Sequence, residues 1–338
     1  MKIVHFQRKR RPNANHSLEF IFEDVRNRLA GDCDISMREA PCCSDGFWPR
    51  LSILRDARKV TDAVVHVTGD INFAILGVPR KRAVLTILDC GFLNRRSSLR
   101  RWLLRKLWLD WPARWAQAVT TISSAARDEI ISLSGCDPAK VIVIPVAIST
   151  DFQFAPKKFN YARPRILLIG TAHNKNILRT IEAVAGINCS VVIIGAISKK
   201  VRCALAEHEI RFENHVDISP AEVREQYRLA DIVCFASLYE GFGMPILEAQ
   251  ATGRPVITSQ AASMPEVAGN GACLVNPRDV HSIHEGIVRV IEDDTFRESL
   301  IEKGLQNTKR FDPTSIAMQY LELYRTVTQT SKHGGANA

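Results

Sequence analysis

Apolar residues in the second half of the chain fall in short unbroken runs: RILLIGT (165–171), SVVIIGA (190–196), DIVCFAS (231–237) and PVITSQ (255–260). Runs this short and this rich in β-branched residues predict strands buried on both faces. Between them, apolar positions recur three and four apart at 176–186, 198–209, SPAEVREQYRLA (219–230) and PILEAQATG (245–253), which predicts helices, with a weaker strand at 211–217. Ser219 before Pro220, with Glu222 three positions on, has the form of a helix start. Gly253 before Arg254-Pro255 has the form of a stop. Regular alternation of this kind predicts a parallel α/β sheet. From 280 to 328 the pattern is helical, broken near Asp312-Pro313, and the tail SKHGGANA reads as frayed.

The first half repeats the theme less cleanly. KIVHF (2–6), AVVHVTG (63–69), AVLTILD (83–89), AVTTIS (118–123) and VIVIPV (141–146) read as strands, with Ser123 capping the helix SSAARDEIISLSG. Residues 147–164 are turn-rich and polar and take the role of linker. Two Rossmann-like units are therefore expected, over 1–155 and 156–312, with a final helix at 313–330 packing back toward the first. Open α/β sheets bind ligands at the carboxyl ends of their strands, and the two units are expected to face each other across a cleft.

Composition narrows the class. Of 338 residues, 46% are hydrophobic and 24% charged, which excludes a disordered chain. No uncharged apolar run reaches the roughly 18 residues of a membrane span, and MKIVHFQRKRR reads as a first strand rather than a secretion signal. Nine cysteines without a C-x-x-C pair speak against a disulfide framework or a zinc site and for a reducing, cytoplasmic setting. The net charge of +9 lies wholly in the first half: residues 1–160 hold 26 Lys+Arg against 16 Asp+Glu, the rest 19 against 20.

The densest part, Arg95 to Trp115, carries seven of these basic residues and four of the five tryptophans. Such a helix suits the headgroup layer of an anionic bilayer, and equally the flank of its own sheet; both readings stay open here. Nucleic acid is not an expected partner, because no recognition-helix or RNA-binding signature accompanies the charge.

The richest stretch chemically runs from Ser237 to Ala249, SLYEGFGMPILEA. Gly241 and Gly243 let backbone N–H groups approach a ligand, and the helix opening at Pro245 adds free N–H groups and a positive dipole end, a cradle for phosphate. Glu240 and Glu248 could grip hydroxyls at opposite ends of a ligand whose phosphates lie between them, the layout of a sugar nucleotide. For Glu248 alone, the competing reading is a glutamate complementing the helix dipole. Lys175 follows a strand in a loop with Gly170 and Asn174, where a point charge reaches phosphate. Asp32-Cys33-Asp34 spells the D-x-D of metal-dependent transferases but follows no buried strand, so it reads as loop acidity and no metal site is expected.

Taken together, GTAHNKN (170–176), ADIVCFASLYEGFGMPILEAQATGRPVI (230–257) and MPEVAGNGACLVNP (264–277) form a connected pattern. Weaker first-half blocks join it: VVHVTGDIN (64–72), VLTILDC (84–90), VTTISSAARDEI (119–130) and KVIVIPVAIS (140–149). The pattern resembles the retaining glycosyltransferases of family 4, also called group 1, which have the GT-B fold and a Glu-x7-Glu motif. The resemblance implies an α/β GT-B fold and a donor site of Gly170, Thr171, Asn174, Lys175, Glu240, Gly241, Phe242, Gly243, Met244, Pro245 and Glu248. Glu240 would contact the sugar, Glu248 the ribose, Lys175 the diphosphate, and the turn from His215 to Ile218 the base. The implied partners are a nucleotide-diphosphate sugar and a glycan or lipid-linked acceptor, with no further cofactor, worked on in the cytoplasm or at the inner membrane face.

Three departures matter. The family commonly has histidine where Leu88 stands, so Asp89 with His66, and Asp70 beside it, are the candidate catalytic replacements. The arginine that often follows Gly170 is Thr171, with His173 as a partial substitute. The first unit's glycine-rich loop is replaced by Arg11 to Ser17, where Ser17 can still cap a helix. Leu88 keeps open a catalytically weakened donor-binding subunit, and a GT-B epimerase or phosphorylase is a further alternative. A nicotinamide dehydrogenase is disfavoured, since no G-x-G-x-x-G follows the first strand.

Overall fold

The structure is a computed structural model that describes residues 1–9, 17–93 and 98–333. The chain divides into two compact units, one of Met1–Ala147 with Pro313–Ala338 and one of Ile148–Asp312.

In the first unit six strands form one parallel sheet: β1 Lys2–Gln7, β2 Asp34–Glu39, β3 Val64–Thr68, β4 Ala83–Thr86, β5 Ala118–Thr121 and β6 Val141–Val143, in the order β2-β1-β3-β4-β5-β6. The central strands β3, β4 and β5 are buried along their whole length, as runs without alternation require. β2 was not legible in the sequence. Its residues DISMRE are mostly exposed, and it lies at the sheet edge with β1 as its one neighbour, so it needs no apolar run. Asp34 of the D-x-D triplet opens this edge strand, and Asp32 lies in the preceding turn. Ser123 caps the helix Ser124–Ser134 by accepting from the Ala126 N–H at 3.1 Å, and Gly135 ends it at φ 61°.

The helix Pro313–His333 belongs to this unit. Its Ile316, Tyr320, Leu321, Tyr324 and Val327 are buried against Phe22, Val25 and Leu29 of the helix Ser17–Leu29 and against strand residues Ile3, Val64, Val84 and Ala118. The first three residues of the expected frayed tail are thus helical; the remainder lies outside the described residues.

The second unit holds β7 Arg165–Ile169, β8 Ser190–Ile194, β9 Phe212–His215, β10 Ile232–Phe235, β11 Val256–Ser259 and β12 Cys273–Val275, ordered β12-β11-β10-β7-β8-β9 and all parallel. The chain grows one way from β7 and restarts on β7's other side with β10. That reversal is the topological switch point at which doubly wound sheets open a crevice. Ser219 and Glu222 form a reciprocal capping box at the helix Pro220–Leu229.

The boundary falls after Ala147, eight residues before the expected one, because the intervening segment is tied to the second unit. Ile148 donates to the Phe311 carbonyl at 3.0 Å, Ala155 to that of Thr252 at 3.2 Å, and the Phe152 ring meets Tyr227 edge-on. The C-terminal helical stretch has an additional break at Asp293, whose carboxylate caps the helix Asp294–Thr308. Among the described residues, no helix is long and apolar enough to cross a membrane.

Candidate functional site

At the switch point of the second unit, two loops leave the carboxyl ends of β7 and β10. The first turns at Gly170 (φ 80°), forms a single tight turn over His173–Lys175, and passes through Asn176 in a left-handed conformation (φ 58°). The second runs from Ala236 to Gly243, where φ of 111° delivers the chain into the helix Met244–Thr252. No side chain caps that helix; Pro245 in its first turn carries no N–H and the Ile246 N–H donates to the Gly243 carbonyl at 3.0 Å, so it is chiefly the positive end of the dipole, with the N–H of Met244, that the turn offers.

The two loops are laced together. Leu238 donates to the Asn174 carbonyl at 2.8 Å, and the Asn174 amide returns to the carbonyl of Tyr239 and to Glu240 Oε1, both at 3.1 Å. Asn176, buried, donates to the Ala236 and Pro277 carbonyls, while the Ser263 hydroxyl donates to those of Glu240 and Phe242. Lys175 Nζ sits 2.8 Å from Glu240 Oε1 and 4.5 Å over the Phe235 ring. The cation and the carboxylate are thus held before any ligand arrives, both partly open to solvent.

Glu248 lies on the helix behind this turn. Its Oε2 accepts a hydrogen bond from the hydroxyl of Tyr227, a fully buried residue of the helix Pro220–Leu229. Burial raises the Glu248 pKa above the usual carboxylate value, against the opposing Tyr227 hydrogen bond and the Lys175 charge. Burial likewise pushes the Tyr227 phenol well above its ordinary range. The structure therefore gathers Gly170, Asn174, Lys175, Glu240, Gly241–Pro245 and Glu248 around one end of one sheet. Thr171 lies against Gly195 at the end of β8, and His173 is exposed on the turn. His215 ends β9, two strands from β7, beside Glu213 at 3.5 Å. Asn176, Ser263 and Tyr227 were missed: each acts through long-range bonds that leave no local pattern.

In the first unit, a cavity of about 400 Å³ opens at the carboxyl ends of β3 and β4. Asp45, Arg50, Asp70, Asn72, Leu88, Asp89 and Trp108 are among its walls. Asp89 accepts from the Gly91 N–H at 2.8 Å, and Asp70 pairs with Arg8 at 3.3 Å. His66 is a correction. Its ring is fully buried in the middle of β3, bonded to Tyr324 Oη at 2.8 Å and Thr86 Oγ1 at 2.7 Å, so it cannot meet a substrate. Burial drops its pKa from 6.5 to about 3. The sequence placed it by its run; only the last helix, distant in sequence, shows what covers it. Residues 11–16 of the loop that replaces the family's glycine-rich turn, and the Ser17 side chain, lie outside the described residues.

The tryptophan-rich segment is helical throughout residues 98–115, as expected, with Ser98–Leu104 and Trp111–Trp115 joined without a break by a wider helical stretch, Arg105–Asp110. The wider stretch lets Asp110 be buried with Arg105 at 3.2 Å and Lys106 at 2.9 Å. Trp108 packs inward, its indole donating to the Asp70 carbonyl with Arg50 stacked on its ring. Trp102, Leu103 and Trp111 face solvent, as do Phe47 and Trp48 at the start of the helix Phe47–Ala57, 71% and 74% exposed. Arg95 and Arg96 lie outside the described residues.

Comparison with known proteins adds an independent line. The family described as Glycosyl transferases group 1 matches residues 149–307, and Glycosyltransferase Family 4 matches residues 28–152. The O-antigen chain mannosyltransferase B of Escherichia coli is 28% identical over 233 residues, covering 62% of this chain and 61% of that protein. The MMP alpha-(1->4)-mannosyltransferase of Mycolicibacterium hassiacum is 28% identical over 244 residues, covering 68% and 59%. The chain thus spans about three fifths of the length of these relatives. Among solved structures, sucrose-phosphate synthase from Thermosynechococcus elongatus superposes with a TM-score of 0.78 at 14% identity, covering 97% of this chain and 100% of that one. Anabaena HepE in complex with UDP and glucose gives 0.70 at 16%, covering 96% and 99%. These likenesses show the fold.

Proposed function

The chain belongs to the glycosyl transferases of group 1, and from that premise we propose that it moves a sugar, with retention of anomeric configuration, from a nucleotide-diphosphate sugar to a glycan or lipid-linked acceptor. The observation that carries the reading is the preformed Lys175–Glu240 pair beside an uncapped helix N-terminus at the sheet's switch point. Relatives named mannosyltransferases make a hexose the proposed cargo.

In this reading the diphosphate lies against the N–H groups of Gly241 to Met244 and Lys175. Glu240 keeps Oε1 on Lys175 and Asn174 and offers Oε2 to a sugar hydroxyl. The bond from the anomeric carbon to the diphosphate oxygen breaks, and the acceptor hydroxyl bonds to the same face of that carbon. Its proton passes to the departing phosphate. Negative charge grows on the leaving group, where fixed donors and a cation lower the barrier without reorganising. The reading assigns this neutralisation to Lys175 and the helix end rather than to a metal. Asp89 and the first-unit cavity take the acceptor side.

Replacing Glu240 by Ala should abolish sugar-nucleotide turnover while circular dichroism stays that of the parent; full turnover in that variant would discard the assignment. A second reading, a donor-binding subunit without transfer, is favoured by Leu88 in the cavity wall and by the seclusion of His66. Slow donor hydrolysis that disappears in Lys175→Ala would exclude it.

The proposed working place is the inner face of the cytoplasmic membrane, with Trp102, Leu103 and Trp111, joined by Phe47 and Trp48, as the contact. With Arg105 and Lys106 committed to Asp110, aromatic burial contributes more than charge. Co-sedimentation with anionic vesicles should therefore fall sharply in Trp48→Ser/Trp102→Ser and only mildly at high salt. No sedimentation of the parent protein at low salt would sink this part.

A further inference from the structure

We propose that Tyr227 is a positioning residue that makes the donor site select ribonucleotides over deoxyribonucleotides, acting through Glu248; the inference rests on the proposed reading of Glu248 as the ribose contact. A carboxylate on an exposed helix turn rotates freely and offers either oxygen. Glu248 does not have that freedom. Its Oε2 is taken by the Tyr227 hydroxyl, and Tyr227 is itself immobilised: fully buried, edge-on to Phe152 at 5.3 Å, with its carbonyl accepting from Arg254 Nε at 3.0 Å. The opposite end of the residue is equally fixed, since the Glu248 carbonyl accepts from the Thr252 hydroxyl at 2.8 Å.

The polarity of the contact follows from chemistry. An ionised carboxylate only accepts, so the phenol donates. Oε1 has no hydrogen bond among the described residues, yet it is not among the buried atoms left without a partner, so it remains reachable from solvent. The result is a carboxylate with one oxygen clamped from behind and one presented, on the helix whose N-terminal end would lie against the phosphates. A single presented acceptor takes one ribose hydroxyl, and the proposal assigns it the 2′-hydroxyl. A 2′-deoxyribose leaves that oxygen dehydrated and unpaired, the situation that discriminates most strongly between ligands. Without the Tyr227 hydroxyl the carboxylate can turn, and the distinction between the two sugars fades.

The test is calorimetric affinity for UDP, GDP and ADP, each against its 2′-deoxy form, in the parent, Tyr227→Phe and Glu248→Gln. Tyr227→Phe keeps the ring and its packing, and its thermal midpoint is read alongside. For whichever base binds, the proposal expects the parent to prefer the ribonucleotide by about tenfold, the size of one charged hydrogen bond. In Tyr227→Phe and in Glu248→Gln that ratio should fall to about one through weaker ribonucleotide binding, with the deoxy affinity unchanged. A ratio kept in Tyr227→Phe but lost in Glu248→Gln overturns the role of Tyr227 alone. Equal weakening of both nucleotide forms in Tyr227→Phe also overturns it, marking a purely structural clamp. A ratio retained in Glu248→Gln, or no binding of any ribonucleotide, overturns the ribose reading as well.

Discussion

Gly170 shows how much of the site depends on one missing atom. A Cβ there would stand 3.0 Å from Lys175 Cε, at a φ of 80° that side chains rarely adopt. Gly170→Ala should therefore cost about 1 kcal/mol of backbone strain and push the cation off Glu240. The expected outcome is nucleotide-diphosphate affinity several-fold weaker by calorimetry, with the fold retained; unchanged affinity would show that Lys175 is not where the diphosphate binds. At this scale the sequence was legible in part. Glycines, a lysine and two glutamates at a strand-to-helix turn have a local chemical meaning, and the structure brings them together. His66 was illegible for the opposite reason: a histidine within an apolar run looks the same whether its ring meets solvent or, as here, the underside of a helix more than 250 residues away.

Between elements, the most unusual contact ties the helix Pro313–His333 to the first sheet through buried polar groups. Arg26 donates to His5 Nδ1 at 3.3 Å, and this fixes the direction of a whole chain of hydrogen bonds. His5 Nε2–H donates to Tyr324 Oη, that hydroxyl to His66 Nδ1, and His66 Nε2–H to Thr86 Oγ1, with Thr120 Oγ1 a further 2.7 Å on. Both imidazoles are neutral in the fold: burial, then His66 and Arg26, lower His5, and burial lowers His66 to about 3.

Above pH 6.5 folded and unfolded chains agree in keeping these rings neutral, so they carry no pH dependence there. Below it the unfolded chain takes up protons that the folded chain refuses, and stability falls with pH, for His66 down to about 3. Each ring should cost about 1.4 kcal/mol per pH unit in that window. The urea midpoint at pH 5 should lie clearly below that at pH 7, and His66→Gln should flatten the difference. Equal midpoints for the parent at both values would mean that the rings are hydrated. The strand runs that anchor this network were readable from their apolar content. The edge strand β2, mostly exposed with one neighbour, and the widening of the helix over Arg105–Asp110, set by a buried acid, were not.

For the whole molecule, the alternation of buried strands and helices was enough to foresee two doubly wound sheets, and the strand orders agree with that plan. The division point was not, because the apolar residues of 148–155, Ile148, Phe152, Phe154 and Ala155, follow neither a strand nor a helix period, and the segment is claimed by backbone bonds to Phe311 and Thr252. The central claim is that the second unit grips an activated sugar by its diphosphate between Lys175 and the free end of the helix Met244–Thr252. The most direct measurement is thermal unfolding of the parent and of Lys175→Ala across a panel of nucleotide-diphosphate sugars. At least one of them should raise the parent's midpoint by several degrees, and that shift should vanish in Lys175→Ala. No stabilisation of the parent by any of them, or a shift that survives intact without the lysine, would contradict the claim.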